Sequence, residues 1–114
     1  MLGNVYAVNA ETGSLLWQIA VDGPIIASPV VADNLVYIAS EGDPDEREPH
    51  WFLTALDVTD GAQSWQQLLT QGIYTTPVIV DDLIVGVLYG NGDDLLIAFD
   101  KTTGVQQWTY APEK

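Results

Sequence analysis

The pattern Ala-x-(Asp or Asn)-x-x-x-Gly-x-x-x-Trp occurs three times with identical internal spacing: Ala7, Asn9, Gly13, Trp17; Ala55, Asp57, Gly61, Trp65; Ala98, Asp100, Gly104, Trp108. A fixed period of this kind marks a chain assembled from copies of one supersecondary unit, each of which needs a neighbour to bury its apolar face. Trp17 and Trp65 are 48 residues apart, and Trp65 and Trp108 are 43 apart. The difference falls in the acidic stretch between Glu41 and His50, which is longer than its counterpart around Asn91 to Asp94; loops absorb length changes that strands cannot. A second anchor stays in register with the first, since Ile25 through Asp33 matches Ile73 through Asp81 at the same offset of 48 residues.

Each part of the repeat has a local reading. Val5 to Val8, Leu53 to Leu56 and Leu95 to Phe99 are short apolar runs that reach Asn9, Asp57 and Asp100, with a glycine four residues further on. That is a strand entering a tight turn: the Asn or Asp side chain bonds back to the turn amides and the Gly takes the positive φ. The Trp then lies on the returning strand. The runs Ile25 to Ala32, Val36 to Ala39, Tyr74 to Val80 and Leu83 to Tyr89 are nearly continuous in apolar residues, the pattern of strands covered on both faces. Asp33-Asn34 and Asp81-Asp82 join these runs with hairpin-length loops, and Pro29 and Pro77 fall towards strand starts, where a missing amide does least harm. The unit is therefore a four-stranded antiparallel sheet, and such sheets of about 40 to 50 residues, stacked face to face, are propeller blades.

With its triple motif, its Pro-Val-Val and Val-Tyr runs and its strand order, the chain resembles the quinoprotein-like (PQQ-like) β-propeller repeat family over essentially its whole length. That family includes pyrroloquinoline-quinone alcohol dehydrogenases and a non-enzymatic, BamB-like branch. The resemblance implies an all-β fold, a partial β-propeller of four-stranded antiparallel blades. In it Ala7, Asn9, Gly13 and Trp17, with Ala55, Asp57, Gly61 and Trp65 and with Ala98, Asp100, Gly104 and Trp108, form tryptophan-docking motifs between neighbouring blades. Two positions depart from the family pattern: Asn9 stands where Asp is preferred, and Asp60 stands where the Thr seen at Thr12 and Thr103 is preferred. Both substitutes suit a turn. On the family blade, residues 3–21 supply an outer half-blade, 25–70 one blade and 73–112 another.

Propellers of this family have seven or eight blades, so a closed ring needs roughly three times this length. The sequence is expected to be a fragment of a longer propeller, or to self-associate through its open blade faces, because each large apolar side chain left in water forfeits about 1.5–3 kcal/mol. Its partners are then other proteins or the remaining blades. The resemblance places such chains in the periplasm or elsewhere in the extracytoplasmic cell envelope, with the signal outside this sequence.

The charge balance excludes several functions. Sixteen acidic residues against three basic ones (Arg47, Lys101, Lys114) give a net charge of −13, which opposes binding to nucleic acid or to anionic membrane surfaces. No run approaches the 18 or so apolar residues of a membrane span, so direct membrane insertion is not expected. The absence of cysteine removes disulfides, thiolate metal sites and thiol nucleophiles.

No residue reads as catalytic, and no cofactor or metal is expected to bind. His50 is the lone histidine, and one imidazole without a second His or any Cys is not a metal site or a charge-relay pair. The run from Glu41 to Glu48 resembles a calcium loop in composition but lacks alternating ligands with a Gly and Glu at the required spacing. Gly90-Asn91-Gly92 reads as a turn. His50, Trp51 and Phe52 lie outside the motif; they either form a partner-contact loop or simply open the next strand and pack. The reading is a non-catalytic interaction scaffold. The alternative is a fragment of a quinone-dependent dehydrogenase, for which the resemblance requires a catalytic Asp, calcium ligands and a vicinal disulfide that cannot be placed in this chain.

Overall fold

The computed structural model describes residues 2–42, 50–89 and 94–112. Every regular element among them is a β-strand, and the strands form three antiparallel sheets in sequence order. The first sheet is a hairpin of β1 (Leu2–Val8) and β2 (Leu15–Asp22). The second runs β3 (Val30–Ala32), β4 (Leu35–Glu41), β5 (Trp51–Asp57), β6 (Gln63–Leu69), each strand paired with the next. In the third, β11 (Gln106–Tyr110) pairs with β10 (Leu96–Asp100) and β10 with β9 (Leu83–Tyr89); β7 (Gly72–Ile73) and β8 (Val78–Val80) both pair with β9. No helix among the described residues is long and apolar enough to cross a membrane.

The inner strands differ from the continuous runs that composition predicts. Instead of one strand from Tyr74 to Val80, the third sheet has two short pieces, β7 and β8. The second sheet repeats the interruption: Ile25 makes an isolated bridge to Ser40, the Ile26 amide donates to the Ala39 carbonyl, and regular pairing resumes only at Val30. Pro29 and Pro77 stand immediately before β3 and β8. A proline has no amide to donate and restricts the residue before it, so the ladder cannot run through these points. The turns that follow place Asp33 and Asp81 at φ 55° and 51°, a left-handed conformation that Asp tolerates better than most residues.

Burial also divides by sheet. Strands β4 and β5 of the second sheet bury successive residues on both faces, whereas β9 alternates, with Ile84, Gly86 and Leu88 inside and Tyr89 exposed. Similar apolar runs therefore end in different environments, because the second sheet lies between two others while the third has a neighbour on one side. Between the second and third sheets, Tyr37, Leu53, Trp65 and Leu69 pack with Ile73, Ile84, Leu88, Ile97 and Phe99. A smaller cluster of Val5, Val21, Ile38 and Leu56, with Trp17 and Ile19 against it, joins the first sheet to the second.

Phe99 is fully buried on the face of β10 that meets the second sheet, while Val78 on β8 is largely exposed. Truncating Phe99 to Ala is expected to destabilise the chain by about 3–5 kcal/mol, and Val78→Ala to change it by less than about 0.5 kcal/mol. Urea denaturation of the two variants tests this; equal shifts in midpoint would contradict the packing described.

Candidate functional site

The three repeated motifs fold into the same turn. Asn9 Oδ1 accepts hydrogen bonds from the amides of Glu11 (2.9 Å) and Thr12 (3.2 Å). Asp57 Oδ1 accepts from the Thr59 amide (2.7 Å), and Asp100 Oδ1 from the amides of Thr102 (2.9 Å) and Thr103 (3.0 Å). Each Gly closes the turn by donating its amide to the carbonyl of that Asn or Asp, and Gly13, Gly61 and Gly104 have φ of 76°, 79° and 79°. The two departures keep the geometry. Asn9 makes the same two bonds as Asp100, without its charge. Asp60 Oδ1 accepts the amide two residues on, as Thr12 Oγ1 and Thr103 Oγ1 do. The amides of Thr103 and Thr102 hold the Asp100 carboxyl below the usual carboxylate range.

The alanine of each motif lies directly across the hairpin from the tryptophan: Ala7 pairs with Trp17, Ala55 with Trp65 and Ala98 with Trp108. In all three hairpins the register shifts immediately after that alanine. Such an irregularity increases the local twist and re-aims side chains, and the methyl group leaves room for the neighbouring indole.

Two of the indoles meet the turn of the following sheet. Trp17 donates its Nε1 proton to the Val58 carbonyl (2.7 Å), and Trp65 donates to the Lys101 carbonyl (3.1 Å). Both acceptors belong to the residue after the motif Asp. The rings lie against the glycines: a Cβ at Gly61 would come within 2.7 Å of Trp17, and one at Gly104 within 2.5 Å of Trp65. Trp108 stands apart. It is exposed, and among the described residues no acceptor meets its indole. Gly13 is the complementary exception: no described residue comes within 4 Å of the position a Cβ would occupy.

Further groups tie the second sheet to the third. The Tyr37 hydroxyl donates to the same Lys101 carbonyl at 2.7 Å, and the Tyr37 and Phe99 rings flank Trp65 with centroids at 5.8 and 6.2 Å. Burial, with Asp33 and then Asp100 nearby, pushes the Tyr37 phenol up to about 12. The Lys101 ammonium meets Asp33 at 2.9 Å, and this hydrogen bond raises its pKa. The sequence carried no sign of these contacts. Backbone carbonyl acceptors have no side-chain signature, and Tyr37 is not repeated, its counterpart in the third sheet being Val85.

His50, Trp51 and Phe52 fall at the start of β5 and are half-buried. Trp51 is part of the ladder, opposite Glu41 and Leu69, and its indole donates to the Tyr74 hydroxyl at 3.0 Å. Tyr74 in turn lies 3.4 Å from Glu41 Oε1 and stacks edge-on with Tyr89 at 5.7 Å. The His50 and Phe52 rings meet edge to face at 5.4 Å. Sequence reading missed Tyr74 and Tyr89; Tyr74 directly follows β7, whose Gly72 pairs with Tyr89 of β9, so the two rings meet through strand pairing within the third sheet. Most of the acidic run from Glu41 to Glu48, and Gly90, Asn91 and Gly92, fall outside the described residues.

A cleft of ≈320 Å³ beside β1 is lined by apolar groups, among them Tyr6, Val8, Leu16, Pro29 and Val31. Among the described residues the one cationic side chain is Lys101, engaged by Asp33. Pyrroloquinoline quinone is a tricarboxylate and needs cations or several donors around it. The residues described here do not fit that group.

Comparison with known proteins gives four findings. A family profile described as outer membrane protein assembly factor BamB matches residues 2–47 and 50–114. Outer membrane protein assembly factor BamB of Moranella endobia is 36% identical over 64 residues, covering 56% of this chain and 14% of the relative. Methanol dehydrogenase (cytochrome c) subunit 1 of Methylorubrum extorquens is 38% identical over 73 residues, covering 60% of this chain and 11% of that protein. The crystal structure of BamB from Moraxella catarrhalis superposes with a TM-score of 0.74 at 23% identity, over 96% of this chain and 30% of that one, which shows the β-propeller fold. The chain thus spans less than a third of the length of these relatives.

Two predictions follow from the docking geometry. In dilute, monomeric protein, Gly13→Ala carries only the left-handed backbone cost of about 1–2 kcal/mol, whereas Gly104→Ala adds about 1–3 kcal/mol by displacing the Trp65 ring. Equal losses in chemical denaturation would show that the ring contact contributes nothing. Tyr37 has a folded pKa above its unfolded value near 10, so its stabilisation is complete below pH 10 and is lost as pH rises through about 12. The loss amounts to about 2–3 kcal/mol. Tyr37→Phe should remove that alkaline slope; an unchanged pH profile of unfolding would assign the slope to other groups.

Proposed function

Because the chain belongs to the PQQ-like repeat family described as outer membrane protein assembly factor BamB, we propose that it is a non-catalytic propeller segment serving as a protein-interaction scaffold in the extracytoplasmic cell envelope. In this reading the twelve motif residues, from Ala7 to Trp108, are docking elements between blades. The surface that meets a partner is the end of the second and third blades bearing Trp51, Tyr74 and Tyr89, with His50 and Phe52 beside it. The supporting observation is the hydrogen-bonded aromatic group Trp51–Tyr74–Glu41, continued by Tyr89. Tyr74, just after β7, and Tyr89, at the end of β9, are exposed large aromatics presented at little conformational cost, and each has a polar handle. Tyrosine and tryptophan are the residues that dominate binding energy at protein interfaces.

The methanol dehydrogenase relative raises a second reading, a piece of a quinone-dependent dehydrogenase. What disfavours it is that, among the described residues, the one cationic side chain that could meet a tricarboxylate is Lys101, which Asp33 engages.

The scaffold reading predicts that pyrroloquinoline quinone with Ca²⁺ neither quenches the tryptophan fluorescence nor supports dye-linked alcohol oxidation. It also predicts that Tyr74→Ser combined with Tyr89→Ser, both at exposed rings, lowers affinity for envelope proteins that cross-link to the native chain by about tenfold or more, with little change in unfolding midpoint. Robust quinone-dependent turnover would overturn the scaffold reading, and undiminished cross-linking by the double variant would move the partner surface elsewhere.

A further inference from the structure

A cavity of ≈150 Å³ lies between the second and third sheets, walled by Leu69 of β6, Leu88 of β9, Ile97 of β10 and Thr109 of β11, with Gln71 and Asp94 beside them. Thr109 pairs with Ile97, and Ile97 belongs to the core shared by these two sheets, so the space is on the face of the third sheet turned to the second. Leu69 lies directly across from Trp51, and Leu88 precedes Tyr89, which makes the cavity continuous with the aromatic surface.

Gln71 is a polar group that the repeated fold does not require. It is 7% exposed, and in the 48-residue register its counterpart at the junction of the first and second sheets is Gly23. Burying a carboxamide costs free energy unless its polar ends are bonded. Gln71 Nε2 donates to the Asp94 carbonyl at 3.0 Å, and that acceptor fixes which end of the amide is which. Gln71 Oε1 accepts from no described residue. It is not shut inside protein either, since among the described residues Ser40 Oγ is the one buried side-chain polar atom sealed without a partner. It therefore opens into the cavity that Gln71 lines.

We propose that this cavity receives an arginine side chain of a partner protein, its alkyl stem against Leu69, Leu88 and Ile97 and its guanidinium donating to Gln71 Oε1 beside the charge of Asp94. The volume falls below the about 300 Å³ at which sites for whole small molecules begin, and suits a single side chain. Gln71 Oε1 and a carboxylate accept hydrogen bonds, and a guanidinium carries only donors and keeps its charge. Leu69, Leu88 and Ile97 are buried and offer the apolar path that such a stem follows. A net charge of −13 draws a cationic partner, while Lys101, the one cationic side chain among the described residues, is engaged by Asp33. In taking the partner to be a protein, the inference rests on the scaffold reading.

The test is an NMR titration of the isotope-labelled 114-residue chain with N-acetyl-arginine methylamide, its neutral isostere N-acetyl-citrulline methylamide, and N-acetylglucosamine. Arginine amide should shift the Gln71 side-chain amide and the Leu88 and Ile97 methyl signals saturably, and more weakly as salt is added. Citrulline amide should bind at least about tenfold more weakly. Gln71→Met conserves volume and removes the acceptor, and should lower affinity about tenfold. Asp94→Asn keeps the backbone carbonyl that Gln71 uses, so it reads the charge without disturbing that bond; it should lower affinity about fivefold. No saturable shift at these signals overturns the proposal, as does equal binding of citrulline, or undiminished binding by the folded variants. Binding of the sugar in place of arginine assigns the cavity to a polyhydroxy ligand and overturns it too. Failure of the scaffold reading looks different: arginine amide would bind as described while no envelope protein cross-links to the chain.

Discussion

The indole of one sheet, seated on the glycine of the next and bonded to the carbonyl beside it, is the contact on which the arrangement depends. It combines two requirements that are rarely met together. A large apolar ring must be taken out of water, and its single polar hydrogen must find an acceptor there. Trp17 and Trp65 meet both demands at one turn, because the motif Asp or Asn folds the chain so that the next residue's carbonyl is presented and the glycine leaves room for the ring. The alanine opposite each indole completes the fit from its own strand. All four positions are therefore parts of one device, although they lie on two strands and serve two different interfaces.

That device explains how much of the fold was readable in advance. Ala, Asp, Gly and Trp each have a geometric reason for their identity, so three copies at constant spacing were enough to define hairpins and the order of the sheets. The positions of Pro29 and Pro77 were equally visible, but their effect was not. Composition suggested long inner strands, and the missing amides cut them into the short segments seen at β3, β7 and β8. The burial of apolar runs differs between the second and third sheets for a different reason. A run such as Leu83 to Tyr89 has the composition of a doubly covered strand, yet coverage depends on a neighbouring sheet and not on the run itself.

The candidate interaction surface was only partly legible. Trp51 and Phe52 were singled out because they fell outside the repeat, while Tyr74 and Tyr89 were absorbed into apolar runs and passed unnoticed. The two tyrosines meet through the pairing of β7 with β9 and reach Trp51 across the gap between sheets, and no local pattern encodes either contact. Tyr37 and Lys101 illustrate the same limit inside the core. One carbonyl receives both a phenol and an indole, and the lysine that owns it reaches back to Asp33, so three links between two sheets meet at a single residue.

The order of the sheets has a dynamic consequence. Among the described residues each packs against its sequence neighbours, so cooperativity passes along the chain link by link rather than through one shared core. The middle sheet has support on both sides, whereas the opening hairpin is held by a small cluster and one indole. Amide protons should therefore exchange with solvent fastest in β1 and β2 and slowest in β4 and β5, a gradient of local opening that runs from the rim of the array towards its centre.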